Sequence, residues 1–336
     1  MTWHLTRRTF LRGVGAAACG AAASLGNESR AEEPQVATGD STRRAERMRA
    51  RPHPQADAWK NRIGLAEKPA DPGTGVQTAI EKLCGPDGVR TFVRKGDLVV
   101  IKPNMSWPQP PEMGANVHPD IVARVVALCR EAGARQVKVF DNTVGTASQC
   151  YEFSGVESAA RGAGADVVVC AAHRFRTVQF DDPRVKNLKE WPIYEDVLAA
   201  DVFINIAVAK VHNATYVTLT MKNLMGTQGG NRGKMHQGIH QNLADLNVVV
   251  RPTFNILDAT RVMISNGPSG GRAEYVVPGG KILCGTSAVT VDAWAADPSN
   301  LPWPKGHHDL AAVECIALGA AAGLGVADPS RIEVAA

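Results

Sequence analysis

Short apolar runs alternate with helical patterns along most of this chain, and that alternation limits the folds open to it. The segment LVVIKPN (98–104) is an apolar run closed by Pro103, as expected of a buried strand that ends in a loop. HPDIVARVVALCREAGA (118–134) follows with apolar residues at helical spacing, and Gly133 is placed to end that helix. VKVFDN (137–142) is the next candidate strand.

The same alternation continues to the end of the sequence. Further candidate strands are 166–170, 202–209, 254–259 and 281–285, and further candidate helices are 74–84, 154–164, 287–296 and 308–321. Aromatic residues make up only 5% of the chain, which suits an α/β protein better than an all-β sandwich. We therefore predict an α/β fold, a mainly parallel sheet flanked by helices, and leave open two lobes around a cleft.

The N-terminus has the pattern of an export signal. Thr6-Arg7-Arg8-Thr9-Phe10-Leu11-Arg12 is a twin-arginine motif, a mildly apolar run follows, and Ser29-Arg30-Ala31 offers small residues for cleavage. We predict a twin-arginine signal peptide over 1–31, a polar linker over 32–72 and a single α/β domain over 73–336. The expected location is periplasmic or extracellular, with the twin-arginine machinery as partner. The apolar run is too short for a permanent membrane span.

Charge and cysteine spacing exclude two classes of function. Residues 1–31 contain four arginines and one glutamate, so removing them takes the formal charge from +4 to +1. That balance gives no electrostatic footprint for nucleic acid. None of the six remaining cysteines forms a CxxC pair, so we expect no iron–sulfur cluster. An oxidising compartment would permit a disulfide bond, but the sequence does not identify which cysteines would pair.

Polar side chains recur just past the predicted strand ends. In parallel sheets, ligands bind outside the carboxyl edge of the strands, and lysines at that edge suit a carboxylate or phosphate. We predict that the following residues bind a small anionic molecule: Lys102, Asn104, Lys210, Asn223, Lys234 and Asp258. His118, His212 and Lys222 are the candidate catalytic residues, because imidazole and amine groups transfer protons. Each could instead be a helix cap or a charged tip at the edge of the core.

A glycine-rich basic segment, MKNLMGTQGGNRGKMHQGIHQ (221–241), adds a candidate metal site. His236 and His240 are four residues apart, the spacing that places two imidazoles on one helical face, so a divalent metal is a candidate cofactor. The segment contains neither nucleotide-binding fingerprint.

Several of these motifs, in this order, resemble the domain of unknown function 362 family. They are KPN, HPDIV, KVH, MKNLMG, the K-x-H of GKMHQ, ILDA and AVTVDA, spread over about 75–300. Many members of that family carry ferredoxin-like cysteine clusters, which this chain lacks. The resemblance implies no established reaction.

A more distant resemblance is to lactate racemase. There, a histidine precedes by ten residues a lysine that covalently holds a nickel-pincer nucleotide, and His212 precedes Lys222 by ten here. In that family a later histidine ligates the nickel, for which His236 and His240 are candidates. The resemblance implies a shared fold and pocket location, and nickel-pincer racemase or epimerase chemistry as one hypothesis.

Three functional hypotheses therefore stand, of which a structural or partner-docking module is ranked last. The first is an exported enzyme, an isomerase or an oxidoreductase, that acts on a small organic anion in a Lys/His-lined cleft. The second is a periplasmic metal- or cofactor-binding protein without turnover.

Overall fold

A nine-stranded mixed sheet organises the part of the chain that the structure, a computed structural model, describes: residues 57–307 and 309–336. Its strands are β1 Arg62–Glu67, β2 Leu98–Pro103, β3 Gln136–Val139, β4 Asp166–Val167, β7 Val202–His212, β8 Tyr216–Thr218, β9 Phe254–Met263, β10 Val276–Gly285 and β11 Glu333–Ala335. Two further strands, β5 Phe175–Gln179 and β6 Glu190–Tyr194, form a separate antiparallel pair. The predicted signal peptide, 1–31, lies outside the described residues.

The strands of the large sheet follow the order β11-β1-β10-β9-β7-β2-β3-β4, and β8 pairs with β7. The five strands from β9 to β4 run parallel to their neighbours. By contrast, β10 is antiparallel to both β9 and β1. The sheet is therefore mainly parallel at its centre, and the predicted α/β fold class is confirmed.

Nine helices accompany the strands in the described residues. They are α1 Pro72–Cys84, α2 Pro119–Glu131, α3 Ala147–Phe153, α4 Val156–Gly162, α5 Glu195–Ala199, α6 Thr220–Asn223, α7 Ile239–Val249, α8 Ala288–Ala296 and α9 Glu314–Ala321. Among them no helix is long and apolar enough to cross a membrane.

Both faces of the sheet are covered, which explains why its central strands are continuous apolar runs. One apolar cluster joins the sheet to α1, α2 and α4 through side chains such as Ile80, Val125 and Ala160. The cluster on the opposite face includes Leu243 and Ile316, from α7 and α9. The described residues fall within a single compact unit, so the two lobes that the sequence left open are not separate units.

Two predicted boundaries are wrong. The predicted polar linker reaches residue 72, but residues 62–67 form β1, which pairs with both β10 and β11. Ile63 is fully buried, so burial in the sheet overrides the polar residues around this short run. The last predicted helix, 308–321, begins at Glu314, after a 3-10 turn at Leu310–Ala312.

Candidate active site

A cavity of about 370 Å³ opens at the carboxyl end of β2 and β7. Because these strands are parallel neighbours, the residues that follow them meet at one edge of the sheet. Its lining consists of Lys102, Asn104, Ser106, Trp107, Val144, Lys210, His212, Thr218, Lys222, Asn223, Met225, Gly226, Arg232, Gly233, His236 and Pro268. Seven of the eleven residues predicted from sequence are in this lining: Lys102, Asn104, Lys210, His212, Lys222, Asn223 and His236.

Lys102 forms the deepest ion pair of the site. Its Nζ lies 2.9 Å from Oδ1 of Asp141, which follows β3, and both side chains are essentially inaccessible to solvent. Burial lowers the pKa of Lys102, and the Asp141 carboxylate opposes that effect. The other carboxylate oxygen, Oδ2, accepts hydrogen bonds from Met105 N at 3.1 Å and Ser106 Oγ at 2.8 Å. Asp141 therefore fixes both Lys102 and the loop after β2.

Lys210 is a second buried lysine, only 1% exposed. Its ammonium donates hydrogen bonds to Asn104 Oδ1 at 3.1 Å and to the carbonyl oxygen of Ala115. Burial brings its pKa well below the usual value, and the positive charges of Lys222 and Lys102 lower it further. In contrast to Lys102, the ammonium of Lys210 has no ion pair with a carboxylate among the described residues.

Asn223 connects the lysines to the sheet. Its Oδ1 accepts hydrogen bonds from Lys102 Nζ and, at 3.0 Å, from Asn104 Nδ2. Its Nδ2 donates to Asn205 Oδ1 at 2.8 Å. A β-carbon on Gly226 would lie 2.1 Å from Asp141 Oδ1 and 2.3 Å from Lys102 Cε, so glycine is required there for the backbone to approach the pair.

Lys222 lies on the short helix α6 and is partly buried. The nearest partner of its Nζ within the described residues is Met225 Sδ at 3.7 Å, and no oxygen accepts from it. Burial is the main reason that the pKa of Lys222 falls to about 8, and the charges of Lys102 and Arg232 contribute to that decrease. A substantial fraction of this amine is therefore neutral close to physiological pH.

Asp292, on α8, holds the start of the helix that carries Lys222. Its Oδ1 accepts from Thr220 N and its Oδ2 from Met221 N, both at 2.8 Å. Burial raises the pKa of Asp292 to about 7, against the opposing effect of these hydrogen bonds. These contacts fix the helix rather than the cavity, so Asp292 positions Lys222 through the backbone.

His212 ends β7 and lines the cavity. Its Nδ1 accepts a hydrogen bond from Ala214 N at 3.0 Å, which assigns the proton of the neutral ring to Nε2. Burial lowers the pKa of His212 to about 3, with further contributions from Lys222 and Lys210. The imidazole is therefore neutral at physiological pH and offers an Nε2–H donor.

Arg232 belongs to the glycine-rich segment and was not among the predicted residues. Its guanidinium donates to the carbonyl oxygens of Asn142 at 2.6 Å and Thr143 at 2.7 Å, which ties the segment to the loop after β3. The lining thus contains four lysine or arginine side chains, and no carboxylate belongs to it among the described residues.

Four predicted site residues lie outside the lining. His118 caps α2, and its backbone N–H donates to Asp258 Oδ2 at 2.8 Å. Asp258 is fully buried and also forms an ion pair with Arg261 at 3.2 Å, so its charge is compensated by a neighbouring side chain and not by a ligand. The other two are Lys234, which is exposed, and His240, whose Nδ1 accepts from Cys315 N at 3.3 Å.

The predicted pairing of His236 and His240 on one helical face is wrong. His236 ends a 3-10 turn, whereas His240 belongs to α7. Gly238 separates them with a φ of 81°, a left-handed conformation that interrupts any continuous helix. In the residues that the structure describes, no group of three His, Cys, Asp or Glu side chains could hold a metal ion.

Sequence reasoning also missed Thr218. Its side chain is 4% exposed and lines the cavity, yet its Oγ1 is buried without a hydrogen-bond partner within the described region. No local pattern marks it, because β8 contains only three residues. A buried polar atom without a partner is costly, and rotation of this side chain toward the cavity would let a ligand atom satisfy it.

Comparison with known proteins identifies the family. The sequence profile of the family described as Domain of unknown function (DUF362) matches residues 99–297, more than half of the chain. The chain belongs to this family. The predicted family is therefore confirmed, and the matched range includes every residue of the cavity lining.

One curated relative and two solved structures are similar to this family member. A thylakoid-associated protein of Synechocystis is 25% identical over 68% of this chain and 71% of its own length. The lactate racemase apoprotein of Thermoanaerobacterium thermosaccharolyticum has a TM-score of 0.40 at 13% identity, covering 69% of this chain and 55% of the racemase. A Thermotoga maritima protein has a TM-score of 0.33 at 10% identity, covering 63% of this chain and 54% of its own. The chain thus spans just over half of each solved structure.

Proposed function

We propose that this protein is an enzyme that binds a small organic anion, a carboxylate or a phosphate ester, in the cavity and transfers protons to or from it. The observation that carries this proposal is the set of four cationic side chains around a cavity with no carboxylate in its described lining. Among the described residues, Lys102 alone of these four side chains has a carboxylate partner, Asp141. Lys210, Lys222 and Arg232 have no carboxylate partner among the described residues, so a bound anion would favour their protonated forms and compensate their charge.

Several features of the cavity suit a small polar ligand. Its volume of about 370 Å³ lies within the range of small-molecule sites. Thr218 Oγ1 and Lys222 Nζ both lack an oxygen or nitrogen partner in the described residues, so a ligand would gain these contacts without displacing internal ones. His212 supplies a neutral N–H donor, and Lys222 supplies an amine that exchanges a proton near pH 8.

Replacement of Lys222 by methionine tests the anion site. In the wild type, small carboxylates or phosphate esters at about one hundred times their Kd should raise the free energy of unfolding by about 2.7 kcal/mol. Lys222→Met should abolish that increase without destabilising the ligand-free protein, because it removes a partly buried charge that no oxygen compensates. The measurement is thermal unfolding with and without a panel of such anions.

Lys234→Met is the matched control, since this exposed lysine belongs to the same glycine-rich segment and lies outside the cavity lining. It should keep the full response to anions. The anion site is refuted if no member of the panel stabilises the wild type, or if both variants respond as the wild type does.

The second candidate function is cofactor or anion binding without turnover. The position of His212, Lys222 and His236 around one cavity favours it, because these groups could hold a ligand permanently. The same titrations discriminate the two functions when each anion is recovered and analysed. A non-catalytic protein returns every anion that it binds without solvent exchange or chemical change.

The nickel-pincer nucleotide implied by the racemase resemblance does not fit this donor set well. Shortly before Lys222, residues 216–218 form the strand β8, paired with β7. His236 Nδ1 lies 3.3 Å from the carbonyl oxygen of Gly233 within its own turn. We therefore derive no step through that cofactor.

We also propose export by the twin-arginine route, on the motif that includes Arg7 and Arg8. Conversion of both arginines to lysine should prevent processing and leave the protein in the cytoplasm, whereas Arg12→Lys is the matched control with little effect. Cell fractionation followed by immunoblotting measures the distribution. Equal processing and location of the wild type and the double variant would contradict this proposal.

A further inference from the structure

We propose that Lys222 forms an imine with the carbonyl group of a small oxo acid bound in the cavity, so that oxo carboxylates are the substrate class of this site. The inference rests on the proposed function, because the same cations must first hold the carboxylate. It adds a covalent role for one of them.

Lys222 differs from the other lysines of the cavity in its hydrogen bonds. Lys102 is bound to Asp141 and Asn223, and Lys210 donates to Asn104 and Ala115. Lys222 has only the weak acceptor Met225 Sδ at 3.7 Å among the described residues. Its amine is therefore the one among these three that no oxygen holds in place and that a ligand can approach.

The surroundings of Lys222 also favour the nucleophilic form of its amine. Burial lowers its pKa to about 8, and the charges of Lys102 and Arg232 act in the same direction. An amine must be neutral to attack a carbonyl carbon, and desolvation next to other cations is a known way to activate a lysine for imine formation. Asp292 fixes the helix beneath it through Thr220 and Met221.

The remaining groups of the lining match the two ends of an oxo acid. Arg232 supplies a positive charge and Lys210 an N–H donor for the carboxylate, and each is anchored to backbone carbonyl oxygens. His212 provides its Nε2–H, and Thr218 its unpartnered hydroxyl, as donors for the carbonyl oxygen. A substrate with only a carboxylate would leave the second pair of donors unused.

The covalent step needs no redox partner. The lone pair of the neutral Lys222 amine forms a bond to the carbonyl carbon, while the π electrons of the C=O bond move to oxygen, which takes up a proton. The attacking nitrogen gives up one proton to solvent, and the hydroxyl group of the resulting carbinolamine takes up one proton and leaves as water. The nitrogen lone pair forms the C=N bond, so the product is a protonated imine. The protonated imine then draws electrons from an adjacent C–H bond, so that this carbon releases a proton to water and an enamine forms.

Reductive trapping tests this inference on the folded full-length protein. Borohydride reduction in the presence of pyruvate should add one reduced pyruvate per chain, located on Lys222 by peptide mass spectrometry. Lys222→Arg keeps the positive charge but cannot form the imine, and should lower the yield at least tenfold. Lys234→Arg, an exposed lysine outside the lining, should leave it unchanged. Lactate, which has a hydroxyl in place of the keto group, should raise the melting temperature and yield no adduct.

The outcomes separate the imine from the anion site. An adduct on Lys222 that Lys222→Arg removes, with Lys234→Arg normal and both variants folded, supports the imine. Adducts spread over exposed lysines, or an equal yield in Lys222→Arg, overturn it. If pyruvate and lactate both raise the melting temperature and no adduct forms, the imine is wrong and the anion site stands. If neither anion shifts the melting temperature and no adduct forms, both proposals fail.

Discussion

Replacement of Asp141 by alanine is expected to lower the free energy of unfolding by about 3–5 kcal/mol, because it leaves a buried ammonium without its counter-charge. Lys102 Nζ lies 2.9 Å from Asp141 Oδ1, and both side chains are inaccessible to solvent. The same carboxylate accepts hydrogen bonds from Met105 N and Ser106 Oγ, so the loop after β2 loses its anchor as well. Urea denaturation of the purified protein measures the change.

The pH dependence of this loss identifies its cause. Burial already lowers the pKa of Lys102, and the Asp141 carboxylate opposes that decrease, so removing it should lower this pKa further. A lysine whose pKa is lower in the folded state than in the unfolded state lowers the free energy of unfolding at pH values below its folded-state pKa. That loss of stability decreases as pH rises toward the pKa of the unfolded state. The deficit of Asp141→Ala should therefore shrink toward alkaline pH.

Asp120→Ala is the matched control for Asp141→Ala. That carboxylate is 62% exposed and lies 3.7 Å from His118 Nδ1, so its loss should change stability by at most about 0.5 kcal/mol. A deficit below about 1 kcal/mol in Asp141→Ala would show that the buried pair contributes little net stability.

The central strands were predictable because burial on both faces of a parallel sheet leaves a continuous apolar run. LVVIKP and VFINIAVA show this pattern, and they became β2 and most of β7. The strand β1 was missed because its six residues include polar ends and its partners, β10 and β11, lie more than two hundred residues further along the chain. Pairing at that distance leaves no local signal.

The sequence predicted those site residues whose positions are set by the ends of parallel strands. Lys102 and Lys210 end two strands that are parallel neighbours, so the rule for parallel sheets brings them together. The sequence places Asp258 at the end of a predicted strand in the same way. In the structure, however, β9 continues to Met263, and the Asp258 carboxylate is buried against Arg261. Arg232 was missed because the path of the glycine-rich segment depends on tertiary contacts to the loop after β3.

The second large effect concerns the reactivity of the Lys222 amine, which should decrease about tenfold for each pH unit below about 8. Only the neutral amine reacts with an acylating reagent, and burial beside other cations is what brings the pKa to about 8. Competitive labelling with a trace of acetic anhydride, followed by peptide mass spectrometry, gives the reactivity of this lysine as a function of pH. Between pH 8 and pH 6 we expect a loss of about fiftyfold, because about half of the amine is already protonated at pH 8.

The same shift predicts the direction of the stability change. The pKa of Lys222 is lower in the folded protein than its usual value of 10.5, so the unfolded chain binds more protons between pH 8 and that value. The free energy of unfolding should therefore rise as pH increases from about 8 to 10.5. This gain in stability is lost again as pH falls through about 8. Lys222→Met should remove that part of the pH dependence.

A bound carboxylate should reverse the effect on the amine, because a nearby negative charge favours its protonated form. Saturation with lactate is expected to move the inflection of Lys222 labelling to higher pH by about one unit, and to reduce its rate about fivefold at pH 8. An inflection near 10 in the ligand-free protein would contradict the activated amine. An inflection near 8 that lactate leaves in place would instead contradict an anion bound beside it. Lys222 thus reports separately on its own activation and on the ligand that the surrounding cations hold.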